Sequence, residues 1–346
     1  MKTLPQNKFY TLDTSSPIWD RIFTVAPLIV IGTKEGSAYN LAPKHMATPI
    51  GFDNYFGFVC TPKHATYQNI KDTQEFTVSF PLPDQVVLAA LSATSRSDDT
   101  LGSKPIIKAL PSHIMFQEFC TRYQVDRADT LELKVGALTN HAIAPHFYGF
   151  TWSPVGVATE YVKDCVVIRD YKKTTRPALS ERRRIIINGI TYEADLTSGG
   201  AADLPDALSG KVRSLDYKTL RHPGHYSSVE QQLQGLKNTK DSISGLQDIM
   251  LAEIPHVEDD QIIVYAAVAG KDTKGVLRRE EIAKHIKPLQ TGKHMLRAIQ
   301  TATAAPLVQA IHWLLETKPK GVILQSQLDA KTFLNSAFIT RVYGNM

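Results

Sequence analysis

Cysteine is scarce in this chain of 346 residues. Its three thiols, Cys60, Cys120 and Cys165, lie far apart and form no Cys-x-x-Cys pair. An odd number of widely spaced cysteines argues against a disulfide scaffold and against a structural zinc site, so we expect no metal. This use of cysteine is typical of a reducing compartment, and we expect the protein to be cytoplasmic.

Long hydrophobic runs and basic clusters are also missing. No apolar stretch approaches the roughly 20 residues of a membrane-spanning helix, and the segment Met1–Asn7 has no apolar core of a signal peptide. The net charge of +5 is small, and the basic run Arg182–Arg184 leads into Ile185–Ile187 as a solvated strand start does. We therefore expect neither a membrane nor a nucleic acid as partner. The mild positive charge suits an anionic small-molecule substrate.

The sequence length and its patterning predict two domains. A chain of 346 residues is too long for one ordinary core. Up to about residue 135, short strands alternate with polar turns, and strands are predicted at Pro27–Thr33, Tyr55–Cys60 and Glu75–Phe80. Residues 66–71 are predicted to form one or two helical turns, and residues 85–92 a further helix. Many short strands with few helices are typical of a small β-barrel, which we assign to residues 1–147.

The pattern changes near residue 148 to a mixed α/β sheet domain, assigned to residues 148–346. Asn188-Gly189 between two apolar runs predicts a hairpin, because a type I′ turn needs positive φ at both positions. Asp260–Gly270 is predicted as a central strand. Ser227–Glu230 has the pattern of a capping box that opens a helix. A later helix, containing Pro306, is predicted to bury an apolar stripe from Leu307 to Leu315.

Three motifs follow one another in the first half, namely Asn40–Thr48, Thr66–Ile70 and Glu75–Val78. In this order they resemble the flavin reductase family of the FMN-binding split barrel, and the resemblance covers about residues 20–135. It implies that the chain binds FMN (FAD is possible) and that NAD(P)H serves as co-substrate and hydride donor.

The residue types in these segments suit a flavin. A flavin phosphate needs backbone N–H groups at a helix start, hydroxyls and a cation, which Lys63, Thr66 and Asn69 offer. The isoalloxazine ring needs hydrogen-bond donors at its edge and a flat apolar wall. The candidates for the ring edge are Lys44, His45, Met46, Ala47 and Thr48, and those for closing over the phosphate or ribityl chain are Arg96 and Ser97. A purely structural alternative is that Thr66 caps a helix and Asn69 satisfies a turn.

The second half resembles the second domain of saccharopine reductases and related saccharopine dehydrogenase-like enzymes. The resemblance runs from about Phe150 to the end of the chain. Its motifs include Trp152–Gly156, Glu160-Tyr161, Tyr192–Gly200 and Tyr217–His225, with His222 where the family usually has tyrosine. In that family the domain builds an amino-dicarboxylate site and a dimer interface, while a Rossmann domain supplies NADP(H). The Gly-x-Gly-x-x-Gly turn of a Rossmann domain occurs nowhere in this sequence.

Several residues of the second half are candidates for holding a carboxylate-rich ligand. Arg221 offers a bidentate fork and Lys218 a point charge, and the turn at 197–200 offers backbone N–H groups. The full candidate set is Thr197, Ser198, Gly199, Gly200, Lys218, Arg221 and His225. The alternative is that this turn is an ordinary tight turn and that residues 218–225 are scaffold.

Three functional hypotheses follow from these features. The leading one is an FMN-binding oxidoreductase of the flavin reductase type with a fused saccharopine dehydrogenase-like domain. The second is a saccharopine dehydrogenase-like reductase of an amino-dicarboxylate without its Rossmann domain. The third is a non-catalytic ligand-binding or assembly protein. The apolar strand Gln261–Ala269 further predicts a homodimer held mainly by the second half, since monomers seldom leave such a surface uncovered.

We expect flavin-free protein to be inactive as an NADPH-dependent reductase of saccharopine precursors. The reason is the missing glycine-rich phosphate turn, without which the nicotinamide has no fixed hydride geometry. NADPH oxidation by the flavin-free chain, with and without such a precursor, is the measurement. Robust substrate-dependent oxidation would contradict this expectation and favour the second hypothesis.

Overall fold

The structure of the chain is a computed structural model. It describes residues 28–36, 38–44, 47–50, 52, 55–62, 64–82, 85, 89, 109–236, 242–319 and 323–345. The chain divides into two compact units, Met1–Arg96 and Ser97–Met346. Two units are present as predicted, but the division falls well before the predicted boundary at 147/148.

The described residues of the first unit form short strands and one α-helix. Its elements are β1 Ile29–Glu35, β2 Ala38–Lys44, β3 Ala47–Pro49, β4 Phe56–Phe58, α1 Ala65–Thr73 and β5 Thr77–Ser79. Strands β2, β1 and β5 form an antiparallel sheet, and β3 pairs with β4. Within the described residues these strands do not close into a barrel. The strands predicted at 27–33, 55–60 and 75–80 and the helical turns at 66–71 are confirmed, while the helix predicted at 85–92 lies largely outside the described residues.

A small apolar core holds the first unit together. Ile29 and Ile31 of β1 and Ala47 of β3 are buried at its centre. The partly buried side chains packed around them come from β4, α1 and β5, namely Phe56, Phe58, Ile70 and Val78. The alternation of apolar residues along β1 thus supplies the surface on which α1 packs.

The second unit combines ten strands with eight α-helices in its described residues. Its strands are β6 Ala128–Thr139, β7 Cys165–Arg169, β8 Lys172–Arg176, β9 Arg183–Ile187, β10 Ile190–Leu196, β11 Val212–Arg221, β12 Asp260–Lys271, β13 Leu277–Ile286, β14 Leu289–Thr291 and β15 His294–Leu296. Its helices are α2 Leu110–Tyr123, α3 Pro154–Val162, α4 Leu204–Ala207, α5 His225–Gln234, α6 Ser242–Glu253, α7 Ala298–Thr317, α8 Ala330–Leu334 and α9 Ala337–Tyr343.

Eight of these strands form one mixed sheet. The order is β13-β12-β6-β11-β10-β9, and β7 pairs with both β11 and β8. Strands β6 and β11 are parallel, and the other neighbours are antiparallel. The predicted mixed α/β sheet is confirmed. The assignment of Leu131–Val135 to a barrel is wrong: it lies in β6, between β11 and β12, and this places the unit boundary before it.

The two faces of this sheet differ in character. Leu131 and Leu133 of β6 pack with Val264 and Ala266 of β12 against α2 and α7, and we call this side the helix face. Alternate residues of the same strands, beginning with Glu132 and Lys134, point to the opposite face because side chains alternate along a strand.

Three local signals of the second unit concern a turn, a helix start and the buried side of a helix. Asn188 and Gly189 have φ of 51° and 80°, and they join β9 to β10 as predicted. The predicted capping box at Ser227 is wrong, because α5 begins at His225 after Gly224, whose φ of 98° turns the chain out of β11. The predicted apolar stripe on α7 is also wrong: the buried residues lie mainly in its first half, and Leu315 is 69% exposed.

The apolar strand Gln261–Ala269, from which a dimer was predicted, is covered within a single chain. These residues lie in β12, which pairs with β6 on one side and β13 on the other. Nearly the whole strand is buried within one chain. A second copy is therefore not needed to cover it.

We predict that Asp260→Ala lowers the free energy of unfolding by about 2 to 3 kcal/mol, the usual scale for a lost hydrogen bond to a charged group. Asp260 is fully buried, and its two carboxylate oxygens each accept a hydrogen bond, at 2.7 Å, from the backbone N–H groups of Ala298 and Ile299 at the start of α7. Urea unfolding is the measurement.

Asp329→Ala is the matched control, since the Asp329 carboxylate caps α8 by accepting from the N–H of Thr332 but is exposed. We expect a cost of about 1 kcal/mol or less there. Equal losses in the two variants would contradict the burial argument.

Candidate functional site

The candidate flavin residues that the structure describes surround the small core of the first unit. Lys44 ends β2 and is partly buried, whereas Thr48 in β3 is exposed. Ala47 is 2% exposed and belongs to the core rather than to an open wall. The candidates His45, Met46, Lys63, Arg96 and Ser97 lie outside the described residues.

Helix α1 begins without a cap from any described side chain. Its N-cap residue is His64, and no acidic residue lies in its first turn. Thr66 does not cap the helix and is buried. The Nδ2 of Asn69 donates to Oγ1 of Thr33 at 3.0 Å and so fastens α1 to β1. Asn69 therefore has a structural partner, and the helix start is left open to an anion.

Arg221 lies at the centre of a buried hydrogen-bond chain in the second unit. It is 1% exposed and ends β11. Its Nε donates to the hydroxyl of Tyr161 at 2.6 Å, and its Nη1 donates to the carbonyl of Leu220 at 3.0 Å. Its guanidinium carbon also lies 4.9 Å from the ring centre of Tyr148, a cation–π contact.

The chain continues from Tyr161 to His225, which is fully buried at the start of α5. The Tyr161 hydroxyl lies 2.9 Å from Nε2 of His225, and Nδ1 of the same ring lies 2.9 Å from the carbonyl of His146. A carbonyl only accepts, so Nδ1 carries the proton and Nε2 accepts from Tyr161. Burial, followed by the charge of Arg221, lowers the pKa of His225 to about 3, so this imidazole is neutral.

A narrow pocket opens beside Arg221 on the helix face. Its empty volume is about 300 Å³, only part of which is wide enough for a water molecule. The lining side chains that bring polar groups are Trp152, Glu160, Tyr217, Thr219 and Arg221. Nη2 of Arg221 is buried and has no hydrogen-bond acceptor among the described residues. This arrangement leaves the two N–H bonds of Nη2 as donors for a ligand oxygen.

The turn Thr197–Gly200 supports this pocket without lining it. Oγ1 of Thr197 lies 2.5 Å from Oγ1 of Thr219. A Cβ at Gly200 would meet the ring of Tyr217 at 2.3 Å, so glycine is required for this close approach. Ser198 donates through its hydroxyl to the carbonyl of Thr159 at 3.2 Å, and Gly199 has the positive φ of the turn. None of these four candidates lines the pocket, but Thr197 and Gly200 contact Thr219 and Tyr217, which do.

Lys218 does not join Arg221 in one site. The two residues lie three positions apart on β11, so their side chains point to opposite faces of the sheet. The ammonium of Lys218 donates to the carbonyl of Glu181, and burial lowers its pKa. The predicted pairing of both cations on one ligand is therefore wrong for this geometry.

Glu160 and Tyr161 were not among the candidate site residues. Both lie on α3 and are almost fully buried, with Glu160 1% and Tyr161 2% exposed. Oε2 of Glu160 accepts from Oγ1 of Thr219 at 3.5 Å. The signal in the sequence is the polar run Thr159–Tyr161 in a helix whose other residues are apolar or glycine.

Residues 22–109 match the protein family described as "Flavin reductase like domain". The match includes Asn40–Thr48 and Thr66–Ile70, and it confirms the resemblance predicted for the first half. This part of the chain is therefore flavin reductase-like.

Two solved structures are similar to about two thirds of the chain. Apo saccharopine dehydrogenase (L-Glu forming) from Saccharomyces cerevisiae is 12% identical, with a TM-score of 0.47, over 62% of this chain and 64% of that chain. A homospermidine synthase from Legionella pneumophila in complex with NAD is 10% identical, with a TM-score of 0.43, over 68% of this chain and 60% of that chain. The chain thus spans less than two thirds of either protein, and likenesses at these scores define no shared function.

None of the helices among the described residues is long and apolar enough to cross a membrane. In the same part of the chain, no group of three or more His, Cys, Asp or Glu side chains is arranged to hold a metal ion.

We predict that the buried neutral His225 makes the fold sensitive to acid. Its folded pKa of about 3 is below the ordinary 6.5, so below pH 6.5 the unfolded chain takes up a proton that the folded chain refuses. The stability it contributes is complete above pH 6.5 and falls by about 2 kcal/mol by pH 5. Unfolding of the wild type and of His225→Gln at pH 7 and pH 5 is the measurement.

The wild type should lose about 2 kcal/mol more than His225→Gln over this range. His312→Gln is the control, because His312 is exposed on α7, and this variant should keep the wild-type pH dependence. Equal losses in the wild type and in His225→Gln would show that His225 does not carry the effect.

Proposed function

We propose that the chain is an FMN-binding oxidoreductase of the flavin reductase type. The observation that carries this proposal is the flavin reductase-like match over residues 22–109. FMN is bound in the first unit, for which the resemblance to that family implies a split barrel, and NADH or NADPH supplies the hydride. The flavin itself provides the electron sink, while the protein binds and orients it.

The described geometry of the first unit supports a flavin phosphate at the start of α1. The first turn carries no acidic residue and no described side chain caps it, so the dipole and the N–H groups of α1 favour an anion. Lys44, at the end of β2 and a candidate for the ring edge, adds a partly buried cation to the same unit. Asn69, held by Thr33, fixes the orientation of the helix.

We further propose that the second unit binds the carboxylate of an amino-acid-like compound at Arg221. The free Nη2 of this buried guanidinium supports the assignment, because an unmade hydrogen bond on a buried charge is costly until a ligand supplies the acceptor. Thr219 lines the same pocket. Neutral His225 and Tyr161 act indirectly, by holding Arg221 in position.

We also propose a homodimer formed through the second unit. Leu307, Leu314 and Leu315 on α7 are 42%, 48% and 69% exposed. Their spacing of seven and eight residues places them on one side of the helix. An exposed apolar stripe of this kind supports self-association, and light scattering on the full chain tests it.

We predict that Lys44→Met weakens FMN binding about tenfold or more, the scale of one charge-assisted hydrogen bond. The measurement is an equilibrium titration of the flavin-free full chain, followed by flavin fluorescence or absorbance. Thr66 is a poorer target than Lys44, because its burial would mix binding with stability.

Lys71→Met is the matched control, since Lys71 is an exposed lysine at the far end of α1. It should bind FMN as the wild type does. Absence of FMN binding by the wild type would overturn the proposed function, and equal affinities in all three proteins would overturn the role of Lys44.

A further inference from the structure

A second pocket lies on the face of the sheet opposite to Arg221. Its volume is about 510 Å³, including its open mouth. The parallel register of β6 and β11 builds its floor, because Thr130, Glu132 and Lys134 lie directly beside Ser214, Asp216 and Lys218. Arg169, Glu181 and Arg183 line its side. We call this the charged cleft.

The cleft holds more cationic than anionic groups. Four of its lining side chains are cationic and three are carboxylates. Two of the cations, Lys134 and Lys218, are 4% and 3% exposed, so their charges are held largely away from water. A buried ammonium is costly unless an anion or several acceptors compensate it.

The three carboxylates are already engaged. Arg169 lies 2.6 Å from Oε2 of Glu181 and 2.9 Å from Oδ2 of Asp216. Glu132 forms ion pairs with both Lys134 and Arg279. Because these carboxylates are paired, the cleft favours an anion over a further cation as its ligand.

The cations are less completely satisfied. Lys218 donates to the carbonyl of Glu181, but it is 3.6 Å from a carboxylate oxygen that Arg169 already holds. Arg183 is exposed, and no carboxylate among the described residues pairs with it. Burial lowers the pKa of the Lys218 ammonium, and the positive charge of Arg183, which lines the same cleft, acts in the same direction. An anion bound between Arg183 and Lys218 offsets the repulsion between their two positive charges.

We propose that the charged cleft is a binding site for a small organic oxyanion, held between Arg183 and Lys218. A carboxylate and a phosphate share the chemistry that this pair recognises, since a guanidinium offers a planar fork and an ammonium a point charge. The cleft is large enough for a metabolite-sized ligand. The site is separate from the Arg221 pocket, because β11 presents the two to opposite faces, and it stands independently of the proposed flavin chemistry.

Calorimetric titration of the full chain tests this site, with citrate as the carboxylate probe and pyrophosphate as the phosphate probe. Sodium chloride at matched ionic strength is the blank, and each titration is run with and without FMN. Arg183→Ser should weaken binding of the preferred probe about tenfold or more. Arg184→Ser is the matched control, since Arg184 is the next residue on β9, points to the other face and is exposed.

The proposal is supported if one probe binds the wild type and Arg184→Ser alike but binds Arg183→Ser weakly. The stronger probe then identifies the class of ligand. It is overturned if neither probe binds the wild type, if Arg183→Ser binds as the wild type does, or if both variants lose binding equally, which would indicate general charge attraction. Persistence of binding in the presence of FMN separates this site from a flavin phosphate site.

Discussion

The parallel pairing of β6 with β11 is the constraint on which the second unit depends. It aligns Lys134 with Lys218 and Val135 with Thr219 along the middle of the sheet. Because side chains alternate, this register puts Thr219 and Arg221 on the helix face and Lys218 on the opposite face. A shift by one residue would exchange the two sets and bury charged side chains against α2 and α7. One pairing therefore fixes both an Arg221 pocket and a charged cleft.

Burial of Arg221 determines the electrostatics of the helix face. A fully buried guanidinium needs hydrogen-bond acceptors and an environment that tolerates its charge. Tyr161 and the carbonyl of Leu220 provide two acceptors, and the ring of Tyr148 provides a favourable face. The same positive charge, together with burial, keeps His225 neutral. The region thus leaves Nη2 of the guanidinium without an acceptor among the described residues, and the proposed carboxylate site rests on this nitrogen.

Local sequence signals predicted local structure well. The strand at Asp260–Gly270 follows from a continuous apolar run, and the hairpin at Asn188-Gly189 follows from residues that tolerate positive φ. Family motifs also led to the flavin reductase-like region, which the match at 22–109 confirms. These signals succeed because they depend on a few neighbouring residues.

Predictions that needed long-range pairing failed. Nothing local in Leu131–Val135 distinguishes a barrel strand from a sheet strand, and only its pairing with β11 and β12 moves the unit boundary. Side chains alternate along a strand, so Lys218 and Arg221 point to opposite faces if one strand contains both. The structure shows that β11 does continue unbroken to Arg221. One local signal also failed: the capping pattern at Ser227 was overridden by Gly224, whose positive φ starts the helix earlier.

Hydride transfer to flavin is the central claim of this account, and anaerobic reduction tests it most directly. FMN is mixed with NADH or NADPH in the presence and absence of the full chain, and the loss of oxidised flavin absorbance is followed. The account predicts that the protein accelerates bleaching with at least one of the two nucleotides. Protein that binds FMN but leaves the rate unchanged with both nucleotides would contradict it.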